Sequence, residues 1–292
     1  MKKRLSLWLL AAATLLLGGC TTPLKAVRGF ADETKKISVA FDPLLAGTVT
    51  QCQEREKYTQ LYASTTAVRD FDPAAIAAQA TANCKPIADE NETARGISGA
   101  LASYADKLSA LAGDGVASSV DDDYDTLAKK IGEFKDFPAD RATAAAALLK
   151  FITHAVIARE QQREVADALS HEEAVGLLAD ALVLYSERVY GGYITFRTQD
   201  NDRFKDYIRS GSIPMPPLLA RLQLIQLTND QAQLAQQRQM IAALRSAVTQ
   251  MKLTLKDLRA NLGNLTAEQR LKEVDRLAKE VRSLYKQLDK AF

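Results

Sequence analysis

The chain has 292 residues, with 38 lysines and arginines against 36 aspartates and glutamates, two histidines and one tryptophan. This near-neutral balance excludes the strong basic excess of a nucleic-acid binder, so no nucleic-acid partner is expected. The length suits one large domain or two intimate ones, and a hydrophobic content of 47% is enough to fill a core.

At the N-terminus, Lys2, Lys3 and Arg4 precede an apolar run from Leu5 to Leu17, then Gly18, Gly19 and Cys20. The run is too short for the roughly 20 residues of a spanning helix, and no A-x-A-like secretory cleavage site is present. The order resembles a bacterial lipoprotein signal peptide, with Leu17-Gly18-Gly19-Cys20 as its lipobox. That resemblance implies that residues 1–19 are removed, that the Cys20 thiol receives a diacylglycerol (palmitate-type chains) and that the new N-terminus is acylated. Thr21, not aspartate, follows the cysteine, which implies the outer membrane, at its periplasmic face. One acyl chain binds a membrane only marginally, whereas the three such lipoproteins carry hold firmly. The resulting organisation is a signal peptide at 1–19, a lipidated tether at 20–29, a helical bundle at 30–210 and a C-terminal α-hairpin at 218–292.

Loss of the signal removes Trp8 and three positive charges, leaving 35 basic residues against 36 acidic ones. The two remaining cysteines, Cys52 and Cys84, form an even pair in an oxidising compartment and read as one disulfide. Their spacing is not the C-x-x-C of a redox catalyst.

No stretch alternates with a two-residue period between turn dipeptides, so the fold class is all-α. A short helix is predicted over Ala31–Ala40, broken at Phe41-Asp42-Pro43. Asp42 reads there as an N-cap, with Pro43 at the first position of the next helix. Asp72-Pro73 repeats this start signal and opens an alanine-rich helix that stops near Cys84 and Pro86. Ile97, Leu101, Tyr104, Leu108 and Leu111 share one helical face. A shorter amphipathic helix carries Val120, Tyr124, Leu127, Ile131 and Phe134. A helix from Ala142 to about Leu169 follows, with Leu148, Phe151, Ile152, Ala155 and Val156 inward. Ser170-His171-Glu172-Glu173 has the pattern of a capping box and starts a helix through Val175, Leu178, Leu182, Tyr185 and Val189. Gly191-Gly192 marks a kink or an end.

Ser210–Pro217 is a connector. Beyond it Ile241, Leu244, Val248, Met251, Leu255, Leu258, Leu262 and Leu265 alternate spacings of three and four, a heptad seam. Thr266-Ala267-Glu268-Gln269 resembles a second capping box, and Val274, Leu277, Val281, Leu284 and Leu288 continue the repeat. Residues 218–290 therefore read as a long antiparallel α-hairpin on an elongated helical bundle. The stripe is an intramolecular seam, a homo-oligomer interface or a partner groove; a short turn favours the first.

Candidate chemistry is sparse. His171-Glu172-Glu173 lacks the second histidine of a zinc-protease helix, and His154 has no partner in sequence. Asp121-Asp122-Asp123-Tyr124-Asp125 does not match a calcium loop and suits the positive end of a helix. No nucleophile elbow or phosphate loop occurs, so no metal, cofactor or catalytic residue is assigned. Tyr185, Tyr190, Tyr193, Phe196 and Phe204 interleave with Arg188, Arg197 and Arg203, a composition found at contact hot spots. The expectation is a non-enzymatic binding or scaffold lipoprotein of the cell envelope. It would meet an envelope protein through Tyr190, Tyr193, Phe196 and Arg197 together with Leu244, Met251 and Leu258. The alternative is an immunity-type inhibitor of an envelope-targeting toxin, which equally needs no catalytic residue.

The murein-linked heptad lipoprotein shares only the lipobox and the heptads. It ends in lysine, whereas this chain ends Lys290-Ala291-Phe292.

Overall fold

The computed structural model describes residues 21–63, 70–113, 124–133, 142–153, 161–212, 214–261 and 267–292. Among them there is no strand, and the chain is all-α. Cys20, His154, Asp121–Asp123, Leu262, Leu265 and Thr266 lie outside the described residues, as do Val120, Phe134, Ala155 and Val156.

Helix α1 runs unbroken over Thr21–Ala63 with Pro43 inside it. Two expectations are corrected here. The segment up to Gly29 is not a tether: Ala26 and Val27 are already fully buried in the core. Asp42-Pro43 does not start a helix either. Proline at position 43 removes one backbone donor and crowds the carbonyl of Val39, a penalty of about 3 kcal/mol. Phe41, Leu44 and Leu45, all fully buried, flank it. Burying each contributes about 1.5–3 kcal/mol, so tertiary packing carries the helix through the proline.

The same dipeptide at 72–73 does act as a start. Asp72 Oδ1 accepts from the backbone of Ala74 (2.9 Å) and Ala75 (3.2 Å), opening α2 over Pro73–Asn83. Ala80 is the buried residue of this alanine-rich helix, so burial offers little to override the cap. Cys84 ends α2, and Lys85-Pro86 opens α3, Lys85–Leu111. The predicted disulfide is formed: Cys52 and Cys84 are joined with Cα atoms 6.0 Å apart, tying α1 to the α2–α3 turn.

Helix α3 packs along α1 and buries Ile97, Leu101, Tyr104, Leu108 and Leu111 as predicted. Polar groups lock the pair: Ser98 Oγ donates to Ser38 O (2.8 Å) and Asn91 Nδ2 to Leu45 O (2.5 Å). Tyr185 in turn donates to Asn91 Oδ1 (2.6 Å). Helices α4 (Tyr124–Glu133), α5 (Ala142–Thr153) and α6 (Gln161–Ser170) cover the far end of α3, with Leu127, Ile131, Leu148, Phe151 and Ile152 buried.

Helix α7 (Glu172–Tyr185) follows α6 after one residue. The predicted capping box is absent. Ser170 Oγ donates back to Asp167 O (2.7 Å), and His171 occupies the N-cap without a side-chain hydrogen bond. Gly191-Gly192 neither ends nor interrupts the helix. A π-helical turn, Ser186–Tyr190, takes up the extra residue, with Gly191 N–H donating to Ser186 O, and α8 continues over Gly191–Ser210. The connector then appears where expected. Gly211, at φ +71°, supplies the left-handed residue that terminates α8.

Helix α9 spans Pro217–Asn261, 45 residues or about 65 Å, and α10 spans Ala267–Ala291. The two form the predicted hairpin, and their seam is internal. Leu244, Val248, Met251, Leu255 and Leu258 meet Leu277, Val281, Leu284 and Leu288 in one core that also holds α1, α7 and α8.

Candidate functional site

Helix α10 lies alongside α1 in the same direction. Val274 reaches the Gly29 backbone, Tyr285 donates to Lys36 O (3.1 Å), and Phe292 sits against Gly47. Helix α8 runs antiparallel to α9, so the Ser210–Pro217 connector caps the end of the molecule remote from Thr21. Ion pairs Asp180–Lys252, Glu187–Arg245 and Glu172–Arg259 bridge α7 and its π turn to α9. All are solvent-exposed, so they set register more than stability.

Where the last turns of α1 meet α8, the aromatic–arginine segment finds its partners. The Arg55 guanidinium stacks 3.9 Å from the Phe196 ring centroid. Arg197 lies 5.6 Å from the Tyr58 ring and donates to Gln51 Oε1 (3.1 Å). Burial raises the Tyr58 hydroxyl above its ordinary pKa, and Arg197 pulls it back. Burial likewise raises Tyr193, against the opposing charge of Arg55. Below this layer Tyr190 Oη, Arg197 Nε, Asn201 Nδ2 and Gln237 Oε1 are buried with no hydrogen-bond partner among the described residues. The layer between α1, α8 and α9 is therefore polar and incompletely satisfied, unlike the apolar seam further along α9.

The predicted contact residues divide sharply. Tyr190, Leu244, Met251 and Leu258 are core residues, at most 1% exposed, and cannot meet a partner in this fold. The structure corrects that part of the expectation: the heptad seam is consumed by α10 and by α1, α7 and α8. Tyr193 and Arg197 are half-buried, and Phe196 is 43% exposed under Arg55.

A surface the sequence reading missed lies at the start of α9. Leu218 (68%), Leu219 (51%), Leu222 (53%) and Ile225 (60%) are exposed, as is Tyr207 of α8 (40%). Leu227 and Leu234 on the opposite side of the same helix are buried. These turns carry leucine or isoleucine on both the covered and the uncovered face, with Arg221, Gln223 and Gln226 between them. Exposed apolar side chains gathered in this way mark an interaction surface.

His171 and Lys107 also acquire a setting. Lys107 Nζ donates to the carbonyl oxygens of Phe151 and of Ile152 (3.3 Å), closing the C-terminal end of α5, and lies 4.4 Å from the Phe151 ring centroid. Burial lowers the Lys107 pKa, with Glu164 and Asp167 opposing. The His171 ring packs 4.9 Å from that of Phe151; burial lowers its pKa, Asp167 opposes and Lys107 adds to the lowering. A groove of about 570 Å³ beside them is lined by Arg163, Glu164, Ala166, Asp167 and Ser170, all from α6. Among the described residues no second element converges on it, and the cluster supplies no nucleophile–base pair. Among the described residues no group of three or more His, Cys, Asp or Glu could hold a metal. No helix among them is long and apolar enough to cross a membrane.

The fold and this surface define a class: an all-α bundle whose C-terminal hairpin packs into the common core and leaves one apolar stripe of α9 uncovered. Compared with known proteins, the chain matches no family model, no curated protein and no solved structure.

Proposed function

We propose that the protein is a lipid-anchored, non-enzymatic scaffold of the cell envelope, held by Cys20 at the periplasmic face of the outer membrane and working by protein contact. The reading rests on the lipobox at the start of the chain and on one structural observation, the uncovered stripe Leu218–Ile225 in the opening turns of α9. That stripe carries little charge, is apolar and sits on a long rigid helix, which is how helical surfaces engage another helix. Tyr193 and Arg197, half-buried, and Phe196, exposed, lie further along α8 where it meets α1. The buried seam residues take no part.

The test is affinity capture from envelope extracts. Leu222→Ser with Ile225→Ser should abolish capture of the wild-type partner set while the far-UV circular dichroism stays unchanged. Retention of the same partners by that double variant would remove the surface from consideration.

A further inference from the structure

Before the polar layer with α1, the outer face of α9 carries a second seven-residue repeat. Leu218, Leu222, Ile225, Asn229, Ala232 and Gln236 follow one another at alternating spacings of four and three, diametrically opposite the buried Leu227 and Leu234. In heptad terms Leu222, Asn229 and Gln236 fall at a, and Leu218, Ile225 and Ala232 at d. Leu218, Leu222, Ile225, Asn229 and Ala232 are exposed, and Gln236 is half-exposed. None of the six is charged. The flanking positions offer Arg221 opposite Gln226 and Thr228 opposite Gln233, so two identical stripes meet without like charges facing each other.

We infer that this outer stripe pairs with the same stripe of a second copy of the chain, forming a parallel coiled coil about a two-fold axis. Three features select a second copy over an unlike partner. An uncharged stripe is complementary to itself. Asparagine at an a position hydrogen-bonds best to its own symmetry mate and fixes register and strand number at a cost in stability. Beyond it the small Ala232 keeps the two helices close, and the Gln236 amide, both donor and acceptor, meets its own mate in the same way. The interface is isologous and closes at two chains. It spans about 27 Å of helix, from Leu218 to Gln236. The parallel direction rests on the proposed membrane anchoring, since chains held by the same end on one bilayer present their α9 helices in the same sense. The pairing itself does not.

The full chain carrying Asn229→Cys provides the test. Mild oxidation should yield a disulfide-linked dimer on a non-reducing gel, whereas Asp206→Cys, exposed on α8, should not. Adding Leu222→Glu and Ile225→Glu to Asn229→Cys should reduce cross-linking at least tenfold at unchanged helicity. The unsubstituted chain should sediment at twice the monomer mass. A monomeric wild type, no cross-link at 229, or a cross-link that survives the two glutamates would each overturn the inference. If cross-linking fails while Leu222→Ser/Ile225→Ser still abolishes partner capture, self-pairing falls and the scaffold reading stands. If the cross-link forms while Cys20→Ser leaves fractionation unaltered, the anchor falls and the pairing stands.

Discussion

Lys107 is a buried ammonium with a structural task. A helix ends with carbonyl groups that lack intrahelical partners, and a cation there meets the negative end of the dipole. Its two hydrogen bonds to Phe151 and Ile152 close α5 at the point where that helix leaves α3. Lys107→Met keeps the stem but leaves those carbonyls unpaired, so it should lower stability by about 1–3 kcal/mol, read as a smaller urea midpoint. The neighbouring His171 gives a pH signature. Its folded pKa lies below the ordinary value, so the unfolded chain takes up its proton first as pH falls. The contribution to unfolding free energy therefore declines as pH drops below about 6.5, the ordinary histidine value. His171→Phe preserves the ring contact with Phe151 and should flatten the stability–pH curve between about pH 7 and 5. An unchanged slope would show that other groups set it. Neither role was legible in the sequence. The lysine lies 44 residues from Phe151, and nothing local marks a side chain that caps a distant helix.

At the level of single elements, periodicity read well and punctuation read badly. The faces of α3, α9 and α10 followed from three-and-four spacing because burial is what that spacing encodes. Asp42-Pro43 and Asp72-Pro73 are the same local signal, yet only the second opens a helix. The difference is the burial of Phe41, Leu44 and Leu45, which no dipeptide rule contains. Ser170-His171-Glu172-Glu173 failed as a capping box for a related reason: α7 follows α6 so closely that the serine hydroxyl is taken by its own preceding turn. The cysteine pair was legible because its number and spacing left one solution. Replacing Cys52 and Cys84 by serine opens a loop of 32 residues, a loss of about 3.5 kcal/mol on the chain-entropy account. Thermal unfolding of the double variant should fall by roughly 10 °C. A shift below about 2 °C would mean that α1 and α2 stay docked without the bridge.

Across the whole molecule, the two α9 stripes make opposite demands, and this separates core from surface experimentally. Leu244 lies fully buried where α9, α10 and α7 converge. Leu244→Ala should destabilise by about 2–5 kcal/mol through lost burial and a residual cavity. Leu218→Ser, on a side chain two-thirds exposed, should change monomer stability by no more than about 0.5 kcal/mol. The sequence reading placed the contact surface on the first stripe because its heptad seam ran longer than the preceding helices required. It passed over the second because that stripe fades from leucine into asparagine, alanine and glutamine. Apolar regularity is the mark of a seam the fold has already closed. The uncovered surface is shorter and dilutes into small and amide side chains, since an exposed stripe must also stay soluble.

The proposed anchor at Cys20, taken with this geometry, leads to an expectation for how the protein would stand on a bilayer. Helix α1 enters the core within a few residues of Cys20, so a lipid there would hold the bundle close to the membrane with little slack. The α8–α9 connector, at the far end of a helix about 65 Å long, would then face away from that bilayer. The full chain with Ser212→Cys, an exposed position in the connector, should react with a water-soluble maleimide equally fast before and after reconstitution into lipid vesicles. Slower labelling on vesicles would mean that Leu218, Leu219, Leu222 and Ile225 dip into lipid. The stripe would then be a second membrane contact, and both its proposed partner and its self-pairing would give way to the bilayer.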